Sequence, residues 1–154
     1  MKISTGLRVH QLVTGSFKTA MDGATLKFYG SPTSQAAADA LIPATADAAI
    51  GSATLMCTVS VGGTGTGMTF EATAPSGVLS KTSAESLTGT LAATGYYSFA
   101  RLVLGSDTGA LSTTEKRAQF DVGTVNADVI VNSMYKTLGD AQPITSFFIA
   151  QPGE

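Results

Sequence analysis

Almost every apolar run in this chain is short, alternates with period two and ends in a turn signal. The clearest is TLMCTVSV (54–61), where Leu55, Cys57, Val59 and Val61 share one phase and Met56, Thr58 and Ser60 the other. The pattern recurs in ATLKFY (24–29), MTFEA (68–72), GVLSK (77–81), SLTGTL (86–91), GYYSFARLVL (95–104), AQFDVGTV (118–125), ADVIVNS (127–133) and ITSFFIA (144–150). Between these runs stand APSG, ATG, GSDTG, VNAD and LGDAQP, all rich in turn-forming residues. Eight or nine short strands at roughly ten-residue spacing, without helices between them, specify an all-β chain. The expected architecture is an antiparallel β-sandwich, jelly-roll-like, with a short helical N-terminal arm.

The glycine stretch GGTGTGMT (62–69) tests that reading, because it has the frame of a phosphate-binding loop, G-x-x-x-x-G-K-[ST]. Met68 stands where the lysine belongs and cannot supply its charge. A phosphate loop also opens a helix, whereas MTFEA continues with Met68, Phe70 and Ala72 in one phase. The dinucleotide pattern G-x-G-x-x-G fails as well, with Met68 or Phe70 at the third glycine. The stretch therefore reads as the bend of a β-hairpin whose glycines supply positive φ.

The first 23 residues have a different texture. Leu7, His10, Gln11 and Leu12 sit at helix-like spacing, and Gly15-Ser16 interrupts them. Ser16 is then an N-cap for a short helix with Phe17, Ala20 and Met21 on one side, stopped by Gly23. Pieces shorter than the ~12–15 residues an isolated helix needs must pack on the domain or on a neighbouring subunit. The expected organisation is thus a helical arm (1–23) and a single β-sandwich domain (24–154). Residues 30–53, Ala-rich with two prolines, form a long excursion with one helical turn over Gln35–Leu41. An excursion of this length is a functional or interface element by default.

Charge narrows the function classes. Only 13% of residues are charged, about half the usual share of roughly 25%, although 44% are hydrophobic and mean hydropathy is +0.23. A surface so poor in charge suits a chain that faces other protein, or one coated with Ser and Thr. The net charge of −2 offers no basic field for nucleic acid. One asymmetry stands out: Lys2, Arg8 and Lys18 precede the first acid, Asp22. That is either a basic arm docking on an acidic partner or a solvated helix face. Residues 48–70 carry no charge, yet five glycines and many Ser/Thr argue against a membrane span, and no signal-peptide stretch is evident.

Catalytic constellations are scarce. His10 is the one histidine, and nothing in the sequence places Cys57 or a nucleophile elbow beside it. A His/Cys metal site lacks ligands. The acids Glu71, Glu85, Asp107, Glu115, Asp121 and Asp128 are spread singly, and SDTGA (106–110) matches only a turn. Cys57 lies within an apolar alternating run and reads as a small buried hydrophobe. Alternation puts Tyr97, Phe99 and Arg101 on one face of a strand and Tyr96, Ser98, Ala100 and Leu102 on the other. Bulk on both faces fits a central strand with a second layer or subunit against it, in preference to a stacking platform for sugar or single-stranded nucleic acid. Phe147-Phe148 reads the same way.

The runs LVTGSFKTAMDGATLKFYGS, PATADAAIGSATLMCTVS, GTGMTFEA, GVLSK, ATGYYSFARLVLGSDTGALSTTEKRAQFDVGT and ADVIVNS together resemble small virion structural proteins of tailed bacteriophages. The resemblance covers most of the chain and rests on texture, with Gly/Thr/Ala-rich hairpins and sparse charge. It implies a non-enzymatic virion protein without cofactor, made in the host bacterial cytoplasm and assembled into the particle. Within that class it implies a head-decorating (cement) protein that binds the major capsid protein or other virion proteins and associates with its own copies. Neither direct nucleic-acid contact nor membrane contact is implied. The contact residues expected on this reading are Lys2, Leu7, Arg8, His10, Leu12, Phe17, Tyr96 and Phe147. The alternatives are a tail or head–tail connector component and, from another class, a carbohydrate-binding β-sandwich module, whose mark would be a row of exposed aromatics.

Overall fold

The computed structural model describes residues 1–150. Among the described residues, three α-helices of five residues each accompany eleven strands: α1 (Thr5–Val9), α2 (Phe17–Met21) and α3 (Gln35–Asp39). The strands are β1 (Lys2–Ile3), β2 (Thr25–Ser31), β3 (Thr54–Val61), β4 (Val78–Ser80), β5 (Leu87–Thr90), β6 (Gly95–Val103), β7 (Arg117–Gly123), β8 (Val129–Ile130), β9 (Tyr135–Lys136), β10 (Ala141–Ile144) and β11 (Phe148–Ala150). The fold is mostly antiparallel β and sandwich-like. Nine strands form one sheet in the order β1-β7-β6-β2-β3-β5-β10, with β8 also on β7 and β9 on β6. The pair β7–β8 is parallel, and β4 with β11 makes a separate two-stranded ribbon.

The long alternating runs became the central strands, because each has apolar neighbours on at least one face. The run expected over 144–150 instead divides between β10 and β11. Pro143 lies in β10, at the end of the sheet order, where a missing N–H costs no ladder bond. The glycine stretch does turn the chain, since Val61 N donates to Thr66 O at 2.8 Å and Gly62, Gly63 and Gly65 hold positive φ. The expected hairpin ends there. Met68 pairs with Ala24 and Phe70 with Lys81, so MTFEA is a line of isolated bridges and not the second strand. Gly67 permits this route, for a Cβ there would lie 1.9 Å from the Gly23 carbonyl oxygen. Met68 and Phe70 are both buried, in the shared phase their spacing predicts.

Two β-bulges correct the expected faces of β3 and β6. The β2–β3 register slips at Met56, where Phe28 opposes Cys57 but Tyr29 opposes Leu55. The β2–β6 register slips at Ser98, where Tyr29 opposes Phe99 but Gly30 opposes Tyr97. Each extra residue inverts the phase beyond it. Met56 therefore joins Cys57 and Val59 in the core while Leu55 is 40% exposed. Tyr97 likewise leaves the Phe99 side and joins Ala100 and Leu102 in the main core.

That core is one continuous cluster on the inner face of the sheet. Leu26, Phe28, Val59, Leu102, Ala118 and Phe120 come from the sheet, while Leu7, Phe17, Ala20 and Met21 come from residues 1–23. A line of rings joins the layers: Phe17–Phe70 at 5.7 Å, Phe70–Phe147 at 6.3 Å and Phe147–Phe120 at 5.7 Å between centroids. The N-terminal segment thus packs on its own domain, the first of the two options its short helices left open. Ser4 ties it to β7, accepting from Arg117 N–H at 2.9 Å and donating to Glu115 O at 2.7 Å.

The opposite face is covered by the excursion after β2, which lies down as a lid of backbone. Tyr29 stacks on Phe99 at 5.1 Å, with Ala53, Leu41 and Ile50 around them. Beside this small apolar group, buried polar side chains of β6 and β7 bind carbonyls of the lid. Gln119 donates to Pro43 O at 2.8 Å, and Arg101 donates to Gln119 Oε1 at 2.8 and 3.0 Å and to Thr45 O at 3.3 Å. Arg117 grips both carboxylate oxygens of Asp107 at 2.6 and 2.8 Å and also donates to Ala46 O, Asp47 O and Ala110 O. Burial alone would raise the Asp107 pKa, but the Arg117 and Gly109 hydrogen bonds outweigh it and hold the carboxyl below its ordinary value. Burial and the charge of Arg117 press the Arg101 guanidinium down to about 10.

Candidate functional site

The residues expected to carry chemistry are dispersed. Cys57 is fully buried, and burial pushes its thiol up to about 11, far from a reactive thiolate. His10 lies on the surface, its Nε2 3.2 Å from Thr19 Oγ1. Glu71 accepts from Ser83 N–H at 2.7 Å, and Glu85 accepts from Thr69 N–H and Oγ1. Among the described residues no three of His, Cys, Asp and Glu come together to hold a metal ion. No helix among them is long and apolar enough to cross a membrane.

What residues 1–23 do build is a rigid apolar projection. Ser4 caps α1 by accepting from Leu7 N–H at 3.1 Å, and Thr5 bonds the Asp47 carboxylate through N–H (2.8 Å) and Oγ1 (2.7 Å). After α1 the backbone widens into a π turn over His10–Thr14, closed by Gly15 N–H on His10 O at 2.9 Å. Ser16 then caps α2, accepting from Thr19 N–H at 3.2 Å. Beyond α2, Lys18 Nζ meets Asp22 at 2.8 Å and Phe70 O at 2.6 Å, and Asp22 accepts from Phe70 N–H at 2.9 Å. Leu7 on one side and Phe17, Ala20 and Met21 on the other are sunk in the core. The turn between them is stapled at both ends. Its crest carries Leu12 at 86% and Val13 at 80% exposure, with Val9 at 51% beside them.

Next to the crest lies an open groove of about 750 Å³, between the arm and the β4–β11 ribbon. Its walls include Ile3, Phe17, Ala72, Ala74, Leu79 and Ile149, with Gln11 and Gly15 on the rim. Gln11 and Gly15 line the groove but Leu12 and Val13 between them do not, so within one copy the crest does not fill it.

Of the expected contact residues, Leu12 stands fully outward, and Lys2 and Arg8 are exposed on the same arm with His10 half-buried between. Leu7 and Phe147 fill the chain's own core at 0% and 8% exposure, and Phe17, at 8%, fills the core while its remaining surface lines the groove. Tyr96 is half-buried and packs edge-on against Tyr135 at 5.0 Å, directly opposite it in the β6–β9 pair. Val9 and Val13 were missed. Helical spacing hides them, because the π turn inserts residues that rotate the crest outward; a β-branched Val-Thr pair before Gly15 was the available signal. Comparison with protein families, with curated proteins and with solved structures returned no match.

Proposed function

We propose that this chain is a non-enzymatic structural protein of a tailed-bacteriophage virion, of the head-decorating kind, acting through protein–protein contacts alone. The observation that carries this reading is the stapled π turn with Leu12 and Val13 on its crest. A flexible loop could fold such residues inward, but this one is held at both ends by capping serines and core side chains. Covering a Leu or Val side chain returns about 1.5–3 kcal/mol each, so a rigid apolar crest favours a particle in which another chain covers it. Sparse surface charge points the same way, as does the resemblance in texture to virion structural proteins.

Co-sedimentation tests the reading. Purified chain is mixed separately with expanded head shells and with tails of the phage whose genome encodes it. Decoration requires saturable pelleting with shells. Pelleting with tails only would move the protein to the tail or connector, and recovery in the supernatant with both would overturn a virion role.

A further inference from the structure

We infer that the crest of one copy docks in the groove of a second copy of this chain, so that the covering partner is the protein itself. The inference rests on the reading of the crest as a contact that is covered on assembly, and it names the cover. Three observations select a second copy. The crest is a convex apolar element and the groove a concave apolar one, so each meets the other's unmet need. The staples at Ser4 and Ser16 prevent the crest from turning into its own groove, so the match is made only between molecules. The charges also agree: Arg8 beside the crest and Glu71 in the groove wall both lack an ion-pair partner among the described residues, whereas Lys18 on the same wall is already neutralised by Asp22. Seating Leu12 and Val13 would bring Arg8, which holds only a hydrogen bond to Thr5 Oγ1, towards Glu71, which holds only one from Ser83 N–H, and so add an ion pair that orients the contact. Every copy offers one crest and one groove, so the contact is available to all copies and can close.

Site-directed cross-linking of the full chain tests this. Native Cys57 is fully buried and gives little background. Under mild oxidation, an equimolar mixture of Leu12→Cys and Ala74→Cys chains should give a covalent species of twice the chain mass. Each variant alone should give at least tenfold less. If Leu12→Cys alone cross-links as fast as the mixture, crests pack on crests and the proposal fails; absence of cross-linking in the mixture also overturns it. In parallel, sedimentation of the wild type should show a mass above the monomer, and Leu12→Asp/Val13→Asp should return it to the monomer with a native-like circular dichroism spectrum and a cooperative melt that no longer depends on concentration. A wild type that stays monomeric at every attainable concentration overturns the inference. The solution readout needs no virion, so failure here is distinct from failure to bind heads or tails.

Discussion

The two faces of the main sheet are closed by different chemistry. On the inner face, Leu7, Phe17, Ala20 and Met21 meet Leu26, Phe28, Leu102 and Phe120 in an apolar contact that needs only shape and volume. On the outer face, Arg101, Arg117 and Gln119 seize carbonyls of residues 43–47, and the contact needs direction at every atom. The inner cover is a pair of short helices whose own backbone bonds are made. The outer cover is mostly irregular chain whose carbonyls would be unsatisfied under burial, so donors must come from the sheet. The comparison teaches why two arginines are among the most deeply buried side chains here. They act as hydrogen-bond donors for the part of the lid, residues 45–47, that lies outside its one helix.

The largest break in this comparison is removal of the inner cover. Deleting residues 1–23 strips four core side chains and strand β1, and the remainder should fail to fold, giving a chain without a cooperative melting transition by circular dichroism. A cooperative, native-like transition in that truncation would show the outer lid alone suffices. The next effect strikes the outer face. Arg117→Met leaves the Asp107 carboxylate buried without its partner and the lid carbonyls without a donor, and should cost about 3–5 kcal/mol in urea denaturation. That would match a large-to-small lesion at Leu7 across the sheet, roughly 2–5 kcal/mol for Leu→Ala, despite the opposite chemistry.

The smallest effect sharpens the contrast through pH. The folded pKa of Asp107 lies below its ordinary value of 3.8. Its stabilising contribution is therefore complete above that value and is lost as pH falls through the folded one. Urea midpoints of the wild type should drop more steeply on acidification than those of Asp107→Asn, whose outer face has already lost the ion pair. The other ion pairs among the described residues, Lys18–Asp22 and Met1–Asp128, are partly exposed, so parallel acid profiles for the two proteins would show that the buried Asp107–Arg117 contact is not what acid removes.

The same contrast decides what was legible in the sequence. Strands β2, β3, β6 and β7 followed from alternation because one face of each meets apolar neighbours, and alternation records that demand directly. The N-terminal segment was legible as something needing cover, but a sequence does not say whose surface supplies it. Leu7, Phe17 and Phe147, expected at a partner contact, are core side chains of this chain for that reason: apolar exposure and apolar burial have the same spelling. The bulges at Met56 and Ser98 were illegible because period two carries no mark of an inserted residue, so Leu55 and Tyr97 were set on the wrong sides. The outer face was the least legible. Arg101 was read with the aromatics beside it, whereas its acceptors lie 18 and 56 residues away at Gln119 and Thr45. Of the expected contact residues, Leu12, Arg8 and Lys2 do lie exposed on the arm, while the exposed Val9 and Val13 beside them were not named.

The bond between Ser4 and Glu115 spans 111 residues, and among the described residues strand β1 pairs with β7 alone. The Ser4 and β1 contacts therefore cannot form until β7 exists. During synthesis Phe17 can meet Phe70 earlier, but the layer that residues 1–23 cover is complete only once β6 and β7 have been released. A protein built this way folds after translation more than during it, at the slow rate that long-range pairing imposes. Each newly made copy thus passes through a stage with apolar side chains uncovered before the fold closes over them.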